Sequence, residues 1–229
     1  MRDGAEGERM TLSKREEPSM APRERRLRIL SEDEIEALYG LPHFSDDERP
    51  EYFSLSPAEK RALDQLHSIT SRMYFLLQLG YFKSHHLFFV FGLPEVEADA
   101  RYIQEQYYPG FELTELRITK VTRLKQHKLI LDLFNYQICD TERRQALSDM
   151  ARQAAKLSSK PIYVFRELLH YLEGQRLVMP GYTSMQDIIG QALTHEQERL
   201  GTILSRSLSG SDKQRLHQLL EDSAGLYEI

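Results

Sequence analysis

The sequence predicts an all-α protein. Four capping boxes, in which a Ser or Thr is followed three positions later by Glu or Gln, stand out in the sequence, and this pattern is typical of the beginning of a helix. Gly and Pro recur at intervals where helices would end. The strand-like run "HHLFFVFG" at 85–92 is too short to support a sheet, so we expect an extended segment packed between helices.

These signals place about nine helices along the chain. The capping boxes are Ser31 with Glu34, Ser56 with Glu59, Thr183 with Gln186, and Ser211 with Gln214. Proline stands at the first helical position, where its missing N–H costs nothing, at Pro57 and Pro161. Stops are expected at Gly40, Gly110, Gly174 and Gly181. The predicted helices are 32–39, 57–66, 69–83, 94–107, 120–135, 141–157, 161–173, 184–206 and 212–221.

A change in composition near residues 138–142 divides the chain into two helical domains. Residues 1–26 are polar, mixed in charge and without periodicity, so we expect a disordered tail. Residues 27–140 would form the first helical domain and residues 141–229 the second. Each is expected to contain a helix-turn-helix-like unit, in which a short turn joins two helices.

Composition argues against several classes of protein. A single cysteine, Cys139, cannot form an internal disulfide and suits a reducing compartment. No apolar run approaches the roughly 20 residues that span a bilayer, and the N-terminus lacks the apolar centre of a secretion signal. We therefore expect a cytoplasmic protein. Gly-rich phosphate-binding patterns and His or Cys clusters are absent from the sequence, so no cofactor, metal or catalytic centre is expected.

Charge is distributed unevenly along this acidic chain. The formal net charge is -5 and the pI is about 5.9, yet residues 117–160 carry 10 basic and 4 acidic residues. Five of those cations lie between Arg117 and Lys128, with no acid among them. Fields are screened beyond roughly 8 Å at physiological salt, so a polyanion responds to the local patch rather than to the total charge.

The stretch "RITKVTRLKQHKLILDLFNYQICD" (117–140) predicts a helix with a basic beginning and a buried end. Leu124, Leu131, Phe134 and Ile138 are spaced 7, 3 and 4 residues apart and would form one apolar stripe. Cations in the first turns oppose the helix dipole, which favours an external anion such as phosphate. This is the layout of a recognition helix. The alternative is a solvated basic face on a core helix.

The stretch "TSRMYFLLQLGYFKSHH" (70–86) is apolar nearly all round and predicts a buried helix. Its cations Arg72 and Lys83 are candidates for contact with a phosphate backbone. The alternative is that both side chains extend their charged groups to solvent from the ends of a core helix.

Three segments, taken in order, resemble one known family. They are "SITSRMYFLLQLGYFKSHHLFF", "TKVTRLKQHKLILDLFNYQICD" and "GQRLVMPGYTSMQDIIGQALTHEQERLGTIL" followed by "KQRLHQLLE". They are similar to the N-terminal region of replicative class II transposon transposases of the Tn-three type. The resemblance covers about residues 27–222.

The resemblance implies helical DNA-binding domains that recognise the terminal inverted repeats of a transposon. In this family an Asp-Asp-Glu metal site lies much further toward the C-terminus, so this chain is expected to bind transposon ends without catalysing strand transfer. The residues that match the family pattern are Arg72, Gln78, Leu79, Thr122, Arg123, Leu124, Lys125, Gln126, Pro180 and Gly181. Asn135 stands where a helix-ending glycine is common, and Asn also tolerates the left-handed conformation.

The expected DNA contacts fall into base readers and phosphate contacts. Arg123 and Gln126 have the fork and the amide that match guanine and adenine edges. Phosphate contacts are expected from Lys120, Lys125, Lys128, Arg143, Arg144, Lys156 and Lys160. Thr122 belongs to the start of the same helix. In the second domain the candidates are Arg176, Tyr182, Thr183, Ser184 and Gln186.

The expected partner is double-stranded DNA carrying the terminal inverted repeats, and the protein would be associated with the bacterial nucleoid when bound. The remainder of a transposase, or a dimer of it, is a further candidate partner, and no membrane is expected. Two alternatives stay open. The chain would be either a helical protein–protein interaction module or a stand-alone regulator that occupies transposon ends.

Overall fold

The computed structural model describes residues 27–224 and is all-α, as predicted. Those residues contain no β-strand, and one isolated bridge joins Gln137 to Leu177. A short 3-10 turn, Pro94–Val96, precedes the fifth helix. The predicted tail at 1–26 lies outside the described residues. The helices are α1 (Glu32–Tyr39), α2 (Arg49–Phe53), α3 (Pro57–Asp64), α4 (Ile69–His85), α5 (Glu97–Tyr107), α6 (Lys120–Phe134), α7 (Thr141–Leu157), α8 (Pro161–Gly174), α9 (Tyr182–Ser207) and α10 (Gly210–Ala224).

The starts of α1 and α3 confirm two predicted capping boxes. The Glu34 amide donates to Ser31 Oγ at 3.2 Å, and the Ser31 amide donates to Glu34 Oε2 at 2.8 Å. Ser56 and Glu59 make the same reciprocal pair. The end of α6 also follows the sequence, because Asn135 adopts the left-handed conformation with φ 56°. Local cap chemistry therefore sets these boundaries.

The other two predicted capping boxes are wrong. Helix α9 begins at Tyr182, two residues before the predicted start, and its N-cap is Gly181 without a side-chain bond. Helix α10 begins at Gly210 because Ser209 and Asp212 cap it reciprocally, two residues before the predicted pair. Helix α2 was not predicted, since its five residues carry no side-chain cap. Short helices of this kind depend on tertiary packing.

Helix α4 is the centre of the first core, the cluster of buried residues between Phe44 and Leu131. Every residue from Met73 to Phe82 is buried. Helices α2, α3, α5 and α6 pack around it. Residues 87–92 form neither a helix nor a strand, and they bury Leu87 and Phe89.

Buried polar groups fix the neighbours of α4. Arg49 Nε of α2 lies 2.8 Å from Asp99 Oδ1 of α5, and the Tyr81 hydroxyl donates to Asp99 Oδ2 at 2.9 Å. Lys83 Nζ forms an ion pair with the buried Glu59 of α3 at 3.1 Å. Because an unpaired buried charge is strongly destabilising, these pairs lock the relative positions of α2, α3, α4 and α5.

Helices α7, α8 and α9 enclose a second core, the cluster of buried residues formed by Leu30 and by residues 147–192. The residues that precede α1 contribute to it. The Tyr182 hydroxyl accepts hydrogen bonds from the amides of Ile29 (3.2 Å) and Leu30 (3.1 Å), and the Gln186 amide donates to the Leu27 carbonyl at 2.8 Å. Residues 27–30 therefore pack with the second core, although the predicted boundary assigns them to the first domain. The division into two domains stays a prediction.

The chain passes from the first core to the second through residues 135–140. The Gln137 amide donates to the Arg176 carbonyl at 2.9 Å, and the Val178 amide donates to the Gln137 carbonyl at 2.9 Å. Asp140 then caps α7 by accepting from the Arg143 amide at 3.0 Å. The predicted junction at 138–142 is thus a short connection that is bonded to the loop between α8 and α9.

We predict that Gly80→Ala destabilises the first core. A Cβ at Gly80 would lie 2.3 Å from Phe53 Cε1, so the ring of α2 would have to move. The expected loss is about 1–3 kcal/mol of unfolding free energy, as for other overpacked cores. The matched control is Gly190→Ala in α9, where a Cβ meets nothing within 4 Å and where alanine should be neutral or stabilising by up to about 1 kcal/mol. Urea unfolding followed by circular dichroism measures both, and equal stabilities would contradict the packing of α2 on α4.

Candidate nucleic-acid interface

Helix α6 projects its N-terminal half from the first core. The Thr119 hydroxyl caps it by accepting from the Thr122 amide at 3.1 Å. Lys120, Val121, Leu124, Lys125 and Lys128 are exposed, whereas Ile130 and Leu131 in the C-terminal half are buried. The basic end predicted from the sequence is therefore at the surface, and the apolar end is in the core.

The exposure of Leu124 and Ile138 contradicts the predicted apolar stripe. Leu124 is 55% exposed, and Ile138 is 61% exposed and lies beyond the end of the helix. Leu131 alone of the four predicted positions is fully buried, with Phe134 partly buried against the first core. The side of α6 that carries Leu124 and Leu131 is therefore covered by the first core at Leu131 and exposed at Leu124.

Gln126 is buried and does not present its amide to a base edge, which corrects its predicted role as an adenine reader. Its side chain is 0% exposed. Its Nε2 donates to the Ser71 carbonyl at 2.9 Å and to Ser71 Oγ at 2.8 Å. Gln126 therefore connects α6 to the first turn of α4 and fixes the rotation of α6 about its own axis.

His127 lies beside Gln126 and packs as an aromatic ring. It stacks on Phe88 with ring centroids 3.9 Å apart and an interplanar angle of 7°. Its Nε2 is buried and has no hydrogen-bond partner among the described residues. Burial, together with the nearby Arg123 guanidinium, lowers the pKa of His127 to about 4. His127 is thus uncharged at neutral pH and adds nothing to the positive charge of α6.

Arg123 is half-buried rather than fully exposed. It precedes Gln126 by three residues and Ile130 by seven, so it shares the side of α6 that faces the protein. Val121, Lys125 and Lys128 occupy the opposite, solvent side. A guanine contact from Arg123 stays a prediction, but Arg123 does not belong to the most exposed face.

The predicted cations of α4 are bonded within the protein. Arg72 Nε donates to the Leu66 carbonyl at 2.7 Å. Lys83 Nζ donates to the Ser54 carbonyl at 2.7 Å and to Glu59 at 3.1 Å. Neither side chain extends freely into solvent, since Arg72 binds the connection between α3 and α4 and Lys83 binds the end of α2 and the start of α3.

Some of the predicted DNA contacts around the second core are bonded within the protein, and others are exposed. The Arg143 side chain bonds to Asp140 and Gln137, and Arg176 Nη1 donates to the Phe134 carbonyl at 3.2 Å. Tyr182 and Gln186 hold residues 27–30 instead of a ligand. Ser184 is half-buried in the first turn of α9. The candidates that are exposed are Arg144, Lys156, Lys160, Arg176 and Thr183.

Neither a metal-binding group nor a membrane-spanning helix is found among residues 27–224. Those residues contain no group of three His, Cys, Asp or Glu side chains that could hold a metal ion. None of their helices is both long and apolar enough to cross a membrane. Cys139 is half-buried, and burial raises the pKa of its thiol.

Val121 and Leu124 are surface residues of α6 whose exposure was not predicted. Leu124 was expected in the core, and Val121 was not assigned a place. A signal was present, because Lys125 and Lys128 follow Val121 by four and seven residues and therefore mark the solvent side of the helix.

We predict that Gln126→Ala lowers the unfolding free energy by about 1–3 kcal/mol, because it removes two buried hydrogen bonds, one to the Ser71 carbonyl and one to the Ser71 hydroxyl. The matched control is the neighbouring Lys125→Ala, whose exposed side chain should change stability by less than about 0.5 kcal/mol. Urea unfolding measures the difference. A Gln126→Ala protein as stable as Lys125→Ala would contradict the attachment of α6 to α4.

We also predict that His127 makes stability depend on pH. The unfolded chain protonates His127 near its ordinary pKa of about 6.5, whereas the folded chain does so at about 4. The unfolding free energy should therefore fall as pH decreases from about 6.5 towards 4. His127→Phe keeps a ring against Phe88 and cannot titrate, so its unfolding free energy should fall less over this range. Identical pH profiles for the two proteins would contradict the burial of His127.

Comparison with known proteins relates the chain to transposases and to one protein family. The chain is 24% identical over 199 residues to the transposase for transposon Tn3926 of Escherichia coli. The match covers 86% of this chain and 20% of that protein, so the chain spans about a fifth of the length of this relative. The family model described as Domain of unknown function (DUF4158) matches residues 29–192, from the segment before α1 into α9. The chain therefore belongs to the DUF4158 family.

Proposed function

We propose that this chain binds duplex DNA in transposition and recognises the terminal inverted repeats of a transposon. The observation that carries the proposal is the exposed, basic N-terminal half of α6. Lys120, Lys125 and Lys128 are at the surface, and no acidic residue occurs from Arg117 to Leu131. The similarity to the Tn3926 transposase extends over most of the chain and supports the same role.

Electrostatics favours an external anion at this end of α6. Positive side chains in the first turns of a helix oppose its dipole, so their placement does not stabilise the helix. Lys128 pairs with Asp132 at 2.9 Å, and Arg117 pairs with Glu115 at 2.6 Å. These four side chains are mostly exposed, and exposed ion pairs contribute little. Both cations can therefore exchange their partners for phosphate groups.

The attachment of α6 supports the recognition of a defined sequence. Precise contacts with base edges require a rigid element, and Gln126 and His127 fix the helix on one side against Ser71 and Phe88. We propose that Lys120, Lys125 and Lys128 contact phosphates, and that Arg123 remains the candidate for a guanine at the edge of the surface. Thr122, half-buried in the first turn, stays a candidate beside it.

The second core offers a further set of phosphate contacts in this proposal. Arg144 and Lys156 lie on α7, and Lys160 precedes α8. All three are exposed, as is Thr183 in the first turn of α9. We assign these residues to DNA binding rather than to strand transfer. In the cell, the protein would act on DNA in the bacterial cytoplasm, together with the remainder of a transposase or a second copy.

We predict that Lys125→Ala and Lys128→Ala each weaken binding to a duplex and reduce its salt dependence. Each lost phosphate contact should lower the slope of log K against log salt by about 0.9. The matched control is Arg101→Ala on α5, an exposed cation paired with Glu97 at 2.7 Å, which should leave the slope unchanged. Fluorescence anisotropy over a salt series gives these slopes, with circular dichroism to verify folding.

Sequence specificity requires a second measurement. Selection from a randomised duplex pool should enrich one sequence motif. Arg123→Ala should lower the ratio of the affinity for that motif to the affinity for random duplex. A wild-type protein that binds no duplex, or equal slopes for Lys125→Ala and Arg101→Ala, would contradict the proposal. If the wild-type protein binds an acidic protein but binds no duplex DNA, the alternative function, a protein–protein interaction module, would be favoured instead.

A further inference from the structure

We propose that Val121 and Leu124 read the methyl groups of thymine in the major groove. The inference rests on the proposed DNA binding and assigns it two specificity-determining residues. Val121 is 63% exposed and Leu124 is 55% exposed. Both lie in the first two turns of α6, between the lysines that are proposed to contact phosphates.

The four side chains on this part of α6 share one face. Leu124, Lys125 and Lys128 follow Val121 by three, four and seven positions, which brings them to the same side of an α-helix as Val121. All four are exposed. The apolar pair thus lies within the basic surface rather than beside it, and any anion that the lysines bind meets Val121 and Leu124 as well.

The N-terminal half of α6 buries a glutamine and exposes a leucine. An ordinary surface helix buries its leucine and exposes its glutamine. Here the Gln126 amide is fully buried against Ser71, while Leu124, two residues earlier, faces solvent. Two hydrogen bonds to a buried partner hold this arrangement, so the exposed apolar pair is a fixed feature of the fold.

Charge complementarity and size favour duplex DNA as the partner of this face. An α-helix fits the major groove, where thymine alone presents a methyl group among donors and acceptors. Valine and leucine can contact that methyl group but cannot make hydrogen bonds to base edges. Lysines on the same face then reach the phosphates that border the groove.

A lipid surface suits this face less well. Basic helices that bind membranes present a broad apolar side to the bilayer. The broad apolar side of α6 carries Ile130, Leu131 and Phe134 and packs into the first core. Only Val121 and Leu124 of the apolar residues of α6 are exposed. Their combined surface is large enough to contact one or two methyl groups but not to anchor a helix in a membrane.

The test replaces thymine by deoxyuridine, which differs by the loss of the methyl group. The selected duplex is prepared with each thymine replaced in turn, and binding of the wild-type protein is measured by fluorescence anisotropy. One or two positions should lower the affinity by about fourfold each, which is the factor expected for burying one methylene-sized group. The other positions should have no effect.

Two variants identify the protein partner of each sensitive methyl group. Leu124→Ala and Val121→Ala should each lose the sensitivity at one of those positions, so that each variant binds the duplex with thymine there and the duplex with deoxyuridine there equally tightly. The slope of log K against log salt should be unchanged. Their matched control is Leu200→Ala, an exposed leucine of α9 (45% exposed), which should keep the wild-type ratio. Exposed side chains contribute little to stability, so all three proteins should fold, and thermal unfolding verifies this.

The outcomes separate this inference from the proposed function. If the wild-type protein binds no duplex, the proposed function fails and the inference with it. If it binds with the expected lysine dependence but no thymine position is sensitive, or if both variants keep the sensitivity, the methyl-reading role alone is overturned. Binding to phosphatidylserine vesicles that Leu124→Ala abolishes, without binding to DNA, would overturn both.

Discussion

The hydrogen bonds between the Gln126 amide and Ser71 determine which side of α6 meets solvent. Hydrophobic burial has no direction, and α6 carries apolar residues on more than one side. The rotation of α6 about its axis therefore depends on the buried side-chain amide of Gln126, because a buried polar group without a hydrogen bond is costly. Once Gln126 faces α4, the residues Val121, Leu124, Lys125 and Lys128 face outward. The surface proposed for DNA follows from this contact inside the core.

Helix α4 is the common reference for the first core, and polar pairs set the helices around it. Because α4 is buried all round from Met73 to Phe82, its apolar surface alone does not specify where each neighbour docks. The Asp99 carboxylate joins Arg49 of α2 to Tyr81 of α4, and Glu59 of α3 joins Lys83. Fully bonded polar groups of this kind specify a unique arrangement of a core. The cost is that these cations are no longer available to a ligand.

The sequence predicts local features of this protein well and long-range ones poorly. The boundaries of α1 and α7, and the left-handed end of α6 at Asn135, depend on neighbouring residues and agree with the structure. The exposure of a cation instead depends on residues far along the chain. Lys83 is bonded to Ser54 and Glu59, which precede it by 29 and 24 residues. The burial of Gln126 on α6 likewise depends on Ser71, 55 residues earlier.

The attachment of residues 27–30 to α9 has a consequence for synthesis on the ribosome. All fully buried residues of the first core lie between Phe44 and Leu131, so they leave the ribosome before the second core is complete. The Leu30 amide can donate to the Tyr182 hydroxyl only after Tyr182 has been synthesised, 152 residues later. The delay is on the order of ten seconds at ordinary rates of translation. During that interval the apolar side chains of Leu27, Ile29 and Leu30 lack their native neighbours. Residues 27–30, although made early, are thus among the last to reach their final position.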